Sequence, residues 1–575
     1  MPLMGSLYIG VSGLQTSQNA LNTTAHNIAN AENAGYVRQQ IMLSDNVYNT
    51  IKTDKDSISN QQIGLGVVYA KTRQVRDVFL DNTYRREVGR QGFYEVSTDA
   101  LGEIENLLDE MNGESFNEAI SGLWESIQEL SKDPSSAVTQ GLFVERCSEF
   151  LSRGQAVYEG LADYQQSLDT QVETLVNQIN DYAQRIKELN DQIRVIEAGG
   201  YKESNTPDRR VEVRSFEEAN DLRDERNHLL DELGKIANIT YEEEKDSTVW
   251  VRLEGEDLVR EEVVYKIGIK ADSQTGFYNV FWEKNAKHEY DEFGNKIYTD
   301  EEVEKAAVFD LERVISSDIN TDIGSLKSTL LARGDHKADY TDLLPENYTN
   351  SVSQSLCMNI MAEFDQLVHN VATTVNQVLA DAADRATALN PNSTYMRDRN
   401  GNPSQMFTKI ATDGYVRDPG TGNYVYMAEN QDINETLYST ENLQINIDLL
   451  RIPTTMGFVL PDGSVDFTTM NKLKEAFTAE TNSLNMNTKK KSSFLDYYSD
   501  LVSQVANSGS VYNSILESQQ LTVNSTSNAR EQIIGVSTDE ELTYMIKFQN
   551  AYNASSRYIN VVDEMLEHII NTLGM

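Results

Sequence analysis

The feature that most constrains the fold is a run of apolar residues that recur in alternating steps of three and four between positions 144 and 196. This spacing places them on one stripe of an α-helix for about seven heptads without a slip. At 1.5 Å per residue the helix would be roughly 80 Å long, and Gly199–Gly200 is expected to end it. The stripe consists of Val144, Cys147, Leu151, Gly154, Tyr158, Leu161, Gln165, Leu168, Val172, Leu175, Ile179, Tyr182, Ile186, Leu189, Ile193 and Ile196.

Three further helices are predicted from the same kind of periodicity, at about residues 101–130, 217–236 and 494–530. Asp133-Pro134 is expected to stop the first of them, because the residue before a proline disfavours helical backbone. Since these segments come from both halves of the chain, we predict an antiparallel helical bundle domain formed by residues 41–238 and 486–535.

The N-terminal residues predict a helix that is poorly stable by itself. Leu7, Leu14, Leu21 and Ile28 are spaced seven apart, and Val11 lies on the alternate seam. The three glycines of this segment each cost about 1 kcal/mol relative to alanine in a helix interior. We therefore expect the segment to order when another surface covers its apolar stripe.

The C-terminal residues carry a matching pattern that continues almost to the last residue. Thr538 and Glu541 have the spacing of a capping box, which predicts where this helix begins. Two interpretations are open: each terminal stripe packs on its own neighbouring domain, or the two stripes pack on each other and on copies of themselves. The C-terminal stripe consists of Met545, Phe548, Tyr552, Ile559, Val562, Leu566, Ile569 and Leu573.

The middle of the chain has a different pattern. From Ile239 to about Phe281 apolar and polar residues alternate, which predicts strands, and Leu443–Ile452 is a further strand-pair candidate. One helix is predicted between about Val352 and Ala383, followed by turn sequences rich in Asn, Pro and Gly. The fold class is therefore mainly α, with an exposed α+β or mainly β insert of one or two domains at residues 239–485.

Composition limits the partners of the chain. The 90 acidic residues against 49 basic ones give a net charge of −41, so we expect neither nucleic acid nor an anionic membrane surface as a ligand. No apolar run approaches the ~18 residues of a membrane span. The first 37 residues lack Lys and Arg, so we expect no cleaved signal or transit peptide. The protein would then stay in the cytosol or leave by a route that reads no such signal.

The sequence offers little for catalysis. It has no Walker-type phosphate loop, dinucleotide fingerprint, zinc-protease motif or nucleophile elbow, and its six histidines are scattered. The segment that begins at Asp398 resembles a calcium loop but lacks the closing Glu, so a turn is the better interpretation. Two cysteines, Cys147 and Cys357, exclude a disulfide framework and are expected as buried thiols. We predict no enzyme, cofactor or metal site.

Both ends of the chain resemble a known family. The amphipathic N-terminal helix is followed by Asn27-Ile28-Ala29-Asn30, then Gly35-Tyr36 and Arg38-Gln39. This pattern resembles the signature of the bacterial flagellar axial proteins of the rod and hook, and Arg38-Gln39 is similar to the hook-associated proteins of the hook–filament junction. The C-terminal blocks 535–541 and 547–555 and the internal blocks 220–233 and 494–498 with 518–520 are similar to the same family, in the same order over the whole chain. Two departures are Asn33-Ala34, where the family usually has Thr-Pro, and Val37, where Ser is usual.

The resemblance implies an architecture and a set of partners. It implies terminal helices of residues 1–40 and 536–575 paired as a coiled coil, a surrounding bundle, and a solvent-facing insert. It further implies export through the flagellar type III channel, a C-terminal helix covered by an export chaperone beforehand, and a motility role in a junction ring of about eleven subunits. Its neighbours would be the hook protein on one side and the next hook-associated junction protein on the other.

Two alternatives are open, one within the family and one from a different class of protein. A hook or rod protein is the nearer one, although the long bundle and Arg38-Gln39 argue against it. An extracellular adhesin carried on the insert would need a compact aromatic groove, and Trp250, Tyr265, Tyr278 and Trp282 are the candidates, although core packing explains most of them better.

Overall fold

The computed structural model describes residues 2–33, 35–46, 48–52, 61–109, 115–198, 218–349, 352–398, 401–410, 415–417, 424–426, 429–430 and 433–573. These residues form a mostly helical structure with small antiparallel sheets, which confirms the mainly α fold class. The helices are α1 Pro2–Ala29, α2 Val78–Asp109, α3 Phe116–Lys132, α4 Ala137–Glu197, α5 Asn220–Ile236, α6 Asp300–Lys305, α7 Ser325–Arg333, α8 Pro345–Tyr348, α9 Leu356–Leu389, α10 Ile447–Arg451, α11 Phe467–Thr478, α12 Phe494–Ile534 and α13 Thr538–Leu573.

The strands are short. They are β1 Gln39–Asp45, β2 Tyr48–Lys52, β3 Gln61–Gly64, β4 Val67–Gln74, β5 Ile239–Glu243, β6 Val249–Leu253, β7 Glu256–Arg260, β8 Val263–Val264, β9 Ile267–Ala271, β10 Tyr278–Trp282, β11 Glu289–Tyr290, β12 Lys296–Ile297, β13 Phe407–Lys409, β14 Tyr415–Arg417, β15 Tyr424–Tyr426 and β16 Leu443–Ile445. The largest sheet has the order β5-β6-β7-β8 and is antiparallel throughout.

The helices predicted from heptad spacing are present. The 144–196 stripe lies on α4, which has 61 residues, and the other predicted segments correspond to α3 with the end of α2, to α5 and to α12. The strand pattern after Ile239 is confirmed by β5 to β10. Gly199–Gly200, Ala34 and Asn400 lie outside the described residues.

Two segments differ from the simplest reading of the sequence. Within the predicted bundle domain, residues 39–45, 48–52, 61–64 and 67–74 form strands, with β1 paired to β4 and β2 to β3. A period of two in Ile41, Leu43 and the residues after Val67 favours strands over helix there. In the Leu443–Ile452 candidate only β16 is a strand. It pairs with β13, and Asn446 then caps α10 by accepting a hydrogen bond from the Asp448 backbone N–H.

By internal contacts the described chain divides into two compact units, which differ from the predicted domains. Unit 1 contains residues 1–91, 177–267 and 519–575, and unit 2 contains residues 92–176 and 268–518. The predicted insert 239–485 is therefore split, because β5–β8 pack with α5 and the end of α4 in unit 1. One example of this packing is buried Asn190 on α4, whose amide oxygen accepts the Val249 backbone N–H at 3.0 Å.

The main apolar core of unit 2 surrounds α9. Phe116 on α3 lies with its ring centroid 4.9 Å from the rings of both Phe364 and Tyr498, and all three side chains are buried. Cys147 and Cys357 lie in this core as free, buried thiols, as expected. Trp282 is also buried in unit 2, so it is a core residue and not part of an aromatic groove.

Candidate assembly site at the chain termini

The two terminal helices pack against each other in unit 1. They run antiparallel, since Gly10 approaches Ile559, Gly13 approaches Ser555 and Asn27 approaches Glu541. A Cβ atom on Gly10 would come within 2.7 Å of Cγ1 of Ile559. Glycine is therefore required at this crossing for the two helices to approach so closely.

The face of α1 that is buried differs from the predicted stripe. The buried residues Gly10, Ser17, Ala20, Thr24 and Asn27 follow one another in steps of seven, three, four and three, so they share one face of the helix. The predicted residues lie beside this small-residue face: Leu7, Leu14, Leu21 and Ile28 are half-buried and Val11 is exposed. The heptad spacing of small residues was a signal in the sequence, but it was masked by the larger aliphatic side chains next to it.

The C-terminal stripe lies largely on the covered side of α13. Val562 is buried, and Met545, Phe548, Tyr552, Ile559 and Leu566 are half-buried, whereas Ile569 is exposed. The side chain of Leu573 lies outside the described residues. Most of the predicted stripe of α13 therefore faces α1 and the rest of unit 1.

The motif residues after α1 form a hydrogen-bonded cluster, which we call the motif joint: Asn27, Tyr36, Arg38, Gln39 and Glu541. Asn27, 1% exposed, is at its centre. Its Nδ2 donates to the Gln39 carbonyl at 2.9 Å and to Oε2 of Glu541 at 3.1 Å, and its Oδ1 accepts from the Tyr36 hydroxyl at 2.8 Å and the Gln39 N–H at 3.0 Å. All four hydrogen-bonding positions of the amide are therefore used.

Arg38 links the motif joint to the start of α13. Its Nε donates to Oε1 of Glu541 at 2.8 Å, and Nη1 lies 3.3 Å from Oε2 of Glu540. Its backbone N–H donates to the Ile534 carbonyl at 2.8 Å, just before the turn between α12 and α13. The motif joint thus holds the turn that connects the end of α12 to the start of α13.

Glu541 corrects the predicted capping box. The backbone N–H of Glu540 donates to the Ser537 hydroxyl at 3.5 Å and that of Glu541 to the Ser537 carbonyl, so the residue that caps α13 is Ser537 and not Thr538. The carboxylate of Glu541 is instead directed to Asn27 and Arg38. A local capping pattern was overridden by a contact with residues at the other end of the chain.

Asp224 on α5 forms hydrogen bonds with residues next to the motif joint. It accepts the Val37 N–H at 3.3 Å and Nε2 of Gln74 at 2.7 Å. Burial raises the pKa of Asp224 to about 7, against the lowering effect of these hydrogen bonds and of Arg76. Burial and the carboxylates Asp224 and Asp221 likewise raise the pKa of Tyr36, so its hydroxyl stays protonated as a donor.

Gly35 and Asn30 shape the turn between α1 and the joint. Gly35 has φ +82°, a left-handed conformation that favours glycine. Nδ2 of Asn30 donates to the His26 carbonyl at 3.0 Å, and its Oδ1 accepts from Asn33 at 2.6 Å, which satisfies the end of α1. The Asn and Gly of the motif therefore have separate local roles.

Comparison with models of protein families shows to which family the chain belongs. A family model described as the flagellar hook-associated protein FlgK helical domain matches residues 101–391, more than half of the chain. The chain belongs to this family. Models described as flagella basal body rod protein and as flagellar basal body rod FlgEFG protein C-terminal match residues 7–36 and 533–572, the two segments that meet at the motif joint.

Relatives and a solved structure agree with membership of the FlgK family. The flagellar hook-associated protein 1 of Bacillus subtilis is 24% identical over 576 residues, covering 100% of this chain and 99% of that protein. That of Salmonella typhimurium is 22% identical over 588 residues, covering 98% of each. The flagellar hook junction protein FlgK from Burkholderia pseudomallei has a TM-score of 0.50 and 11% identity, covering 78% of this chain and 99% of that one, which supports the fold.

The family resemblance drawn from the motifs is thereby confirmed. FlgK-family relatives are structural flagellar proteins, and this chain is a structural component of the extracellular flagellum. Among the described residues, no cluster of three His, Cys, Asp or Glu side chains is placed to hold a metal ion. None of the helices in the described part of the chain combines the length and apolarity that crossing a bilayer requires.

A second ionic cluster in unit 1 had no sequence signal. Arg530 on α12 lies between two acids: its Nε donates to Asp81 of α2 at 2.7 Å and its Nη1 lies 2.8 Å from Asp231 of α5. Asp231 also accepts from Nε of buried Arg85 at 2.7 Å. These pairs join α2, α5 and α12, and Arg530 and Asp231 line the same cleft as Tyr36 and Arg38 of the motif joint.

Proposed function

We propose that this chain forms the junction ring between hook and filament by self-assembly through its paired terminal helices. The observation that carries the proposal is a second apolar face that the pair leaves uncovered. Met4, Tyr8 and Val11 on α1 and Tyr558, Val561 and Met565 on α13 are all exposed and each set falls on one side of its helix. Contiguous exposed apolar faces are typical of protein–protein interfaces.

The two faces lie at the same level of the helix pair, since Gly10 meets Tyr558 and Ile559 there. Fully burying one aliphatic or aromatic side chain contributes about 1.5–3 kcal/mol. Six such side chains would offset a substantial part of the entropy lost when neighbouring subunits are ordered. Assembly rather than folding is thus the step that covers this surface.

The family supplies the expected partners. We propose a ring of about eleven copies, which closes by head-to-tail contacts. The hook protein lies on one side of it and the next hook-associated junction protein on the other. Before export the chain is cytoplasmic, and a chaperone covers α13 and with it the apolar face that contains Val561.

The test uses a strain that lacks its own copy of the gene and expresses the full-length chain. We expect Val561→Asp/Met565→Asp to abolish a band of immunogold label between hook and filament, while the purified variant retains its helical circular dichroism. The matched control is Asn553→Asp/Asn560→Asp, which adds the same charge at exposed polar positions of α13 and should leave the band intact.

The pattern of label separates the alternatives. Label spread along the hook or rod would assign the chain to another axial segment. Label on the cell body without flagellar label would favour the adhesin. Normal junction assembly by the Val561→Asp/Met565→Asp variant would overturn the role of the outer face.

A further inference from the structure

Helix α12 is exposed along most of its length but carries few charges. In its stretch 501–529 Glu517 is the one charged residue, whereas the chain average of 24% would give about seven in 29 residues. The exposed positions of this stretch within unit 2 include Asn507, Ser510, Val511 and Ile515. Helix α13, which is also largely exposed, has eight charged residues among its 36. The neutral surface is therefore a property of α12 and not of exposed helices in general.

A groove of unit 2 that borders α12 is uncharged as well. It has a volume of about 470 Å³, and Gln504, Ser508 and Tyr512 of α12 line it together with Val314 and the start of α9. None of the described residues that line this groove carries a charge. Glu517 follows Ser508 by nine residues, which is about two and a half helical turns, so it lies on the opposite side of α12.

Apolar side chains form the rim of this groove. Val511 and Ile515 follow two lining residues of α12 by one turn, which places them on the same side of the helix. Val511 is 58% exposed, and Val314 on another wall is 69% exposed. Glu312 and Arg313, which precede Val314, carry opposite charges and so add no net charge there. We call the groove and its rim residues Val314, Val511 and Ile515 the neutral groove.

The charge of the chain indicates which partner such a surface fits. Each copy carries a net charge of −41, so two copies repel one another wherever their acidic surfaces meet. Like charges that face each other weaken an interface, and the cores of interfaces are depleted of charged residues. A basic partner would be attracted to acidic surface, whereas a neutral surface favours contact with a chain that is itself acidic. Helix α1, which carries one of the outer faces proposed for assembly, likewise contains no Asp, Glu, Lys or Arg.

We propose that the neutral groove of unit 2 is an interface with a second copy of this chain, the neighbour in the ring. The inference rests on the proposed function and adds a contact outside the terminal helices. Covering Val314 and Val511 removes apolar surface from water without bringing the carboxylates of two copies together. Unit 2 thereby takes part in assembly in addition to α1 and α13.

The direct test is photocrosslinking in assembled flagella. The full-length chain carries the photoreactive residue p-benzoylphenylalanine in place of Val511 or, as a second rim position, of Ile515. After irradiation of isolated flagella we expect a product with the mass of two copies, in which mass spectrometry finds peptides of this chain alone. The matched control places the same residue at Asn513, which is exposed on the other side of α12. It should give no dimer above the level of an unirradiated sample.

A series of charges tests the electrostatic argument, with the photoreactive residue kept at Ile515. Val511→Glu places an unpaired carboxylate in the contact, and we expect it to lower the yield of dimer at least about tenfold. Val511→Gln is of similar size but uncharged and should retain most of the yield. Asn513→Glu adds the same charge on the other side of α12 and should retain the yield of the parent chain. Circular dichroism of each purified variant checks that its helices are intact.

The outcomes distinguish the two proposals. A normal junction band overturns the neutral-groove contact, and leaves the proposed function standing, if the rim positions give no dimer or crosslink to a different flagellar protein. Equal yields from Val511→Glu and Val511→Gln likewise overturn it, because the contact would then not depend on neutrality. Absence of junction label in the parent chain overturns the proposed function itself.

Discussion

Arg38 and Glu541, which are 503 positions apart in the chain, form an ion pair with 2.8 Å between Nε and Oε1. The Glu541 side chain is only 4% exposed and also accepts a hydrogen bond from Asn27. The N-terminal motif therefore determines how the C-terminal helix starts. Both ends carry family motifs because the residues of one motif form hydrogen bonds and an ion pair with residues of the other.

Removing the cation from this pair should destabilise unit 1. Arg38→Ala leaves a nearly buried carboxylate with one remaining amide donor, and we expect a loss of about 2–3 kcal/mol in the free energy of unfolding. Urea denaturation measures it. Arg557→Ala, at an exposed position of α13, is the control and should change stability by less than about 0.5 kcal/mol. Glu541→Ala completes a double-mutant cycle. If the Arg38→Ala/Glu541→Ala variant lost as much stability as the sum of the two single variants, the pair would carry no coupling energy.

Asn27 should be the most sensitive position of the motif joint. Asn27→Ala removes four hydrogen bonds at a buried site, and each unsatisfied buried partner costs about 1–3 kcal/mol. We expect faster amide hydrogen exchange throughout α1 and α13, with unit 2 unchanged. Asn22→Ala removes one exposed hydrogen bond on α1 and should leave exchange rates as they are. Equal protection in both variants would contradict the central role of Asn27.

The close approach of α1 and α13 gives a test with opposite signs. Gly10→Ala places a methyl group within 2.7 Å of Ile559, so we expect destabilisation of the helix pair by about 1–3 kcal/mol. A Cβ atom added to Gly5 would have no atom of another element within 4 Å, so Gly5→Ala should stabilise α1 by up to about 1 kcal/mol. Thermal unfolding followed at 222 nm measures both. Stabilisation by Gly10→Ala would show that the helices do not pack at this point.

Buried Glu363 should make unit 2 less stable as the pH rises. Burial raises its pKa to about 7 from an ordinary value of 4.5, although Asn485 and Gln504 donate hydrogen bonds to it. Between these values the folded state holds a proton that the unfolded state releases, so the free energy of unfolding falls as the pH rises through this window. At 1.36 kcal/mol per pKa unit this contribution is up to about 3 kcal/mol.

Glu363→Gln removes that proton linkage. Denaturation at pH 5 and pH 7.5 should show a smaller loss of stability in the variant than in the parent chain. Part of the pH dependence will persist, because burial also raises the pKa of Asp365 to about 7. Glu475→Gln, at an exposed position of α11, should leave the pH dependence unchanged. An identical pH profile in Glu363→Gln would exclude the linkage.

Much of the helical framework could be predicted because a packed helix has apolar residues that recur every three to four positions along the sequence. The heptads of α4 and the stripe of α13 can each be recognised within a short stretch of sequence, without knowledge of the rest of the chain. The family motif was equally visible, since Asn27, Gly35 and Arg38 stand at fixed spacings. The strands β1 and β4 were missed because a short period-two pattern was assigned to the neighbouring bundle.

The partners of those residues could not be predicted. Glu541 has the spacing of a helix cap, and only the folded chain directs it to Arg38 and Asn27 instead. The hydrogen bonds of buried Glu363 and the ionic cluster around Arg530 also depend on contacts between residues more than 100 positions apart. The sequence by itself determined which segments are helical and to which family they belong, because those properties follow from local spacing. Tertiary structure decided which faces are covered and which polar groups meet, because hydrogen bonds and burial depend on distance in space and not on distance along the chain.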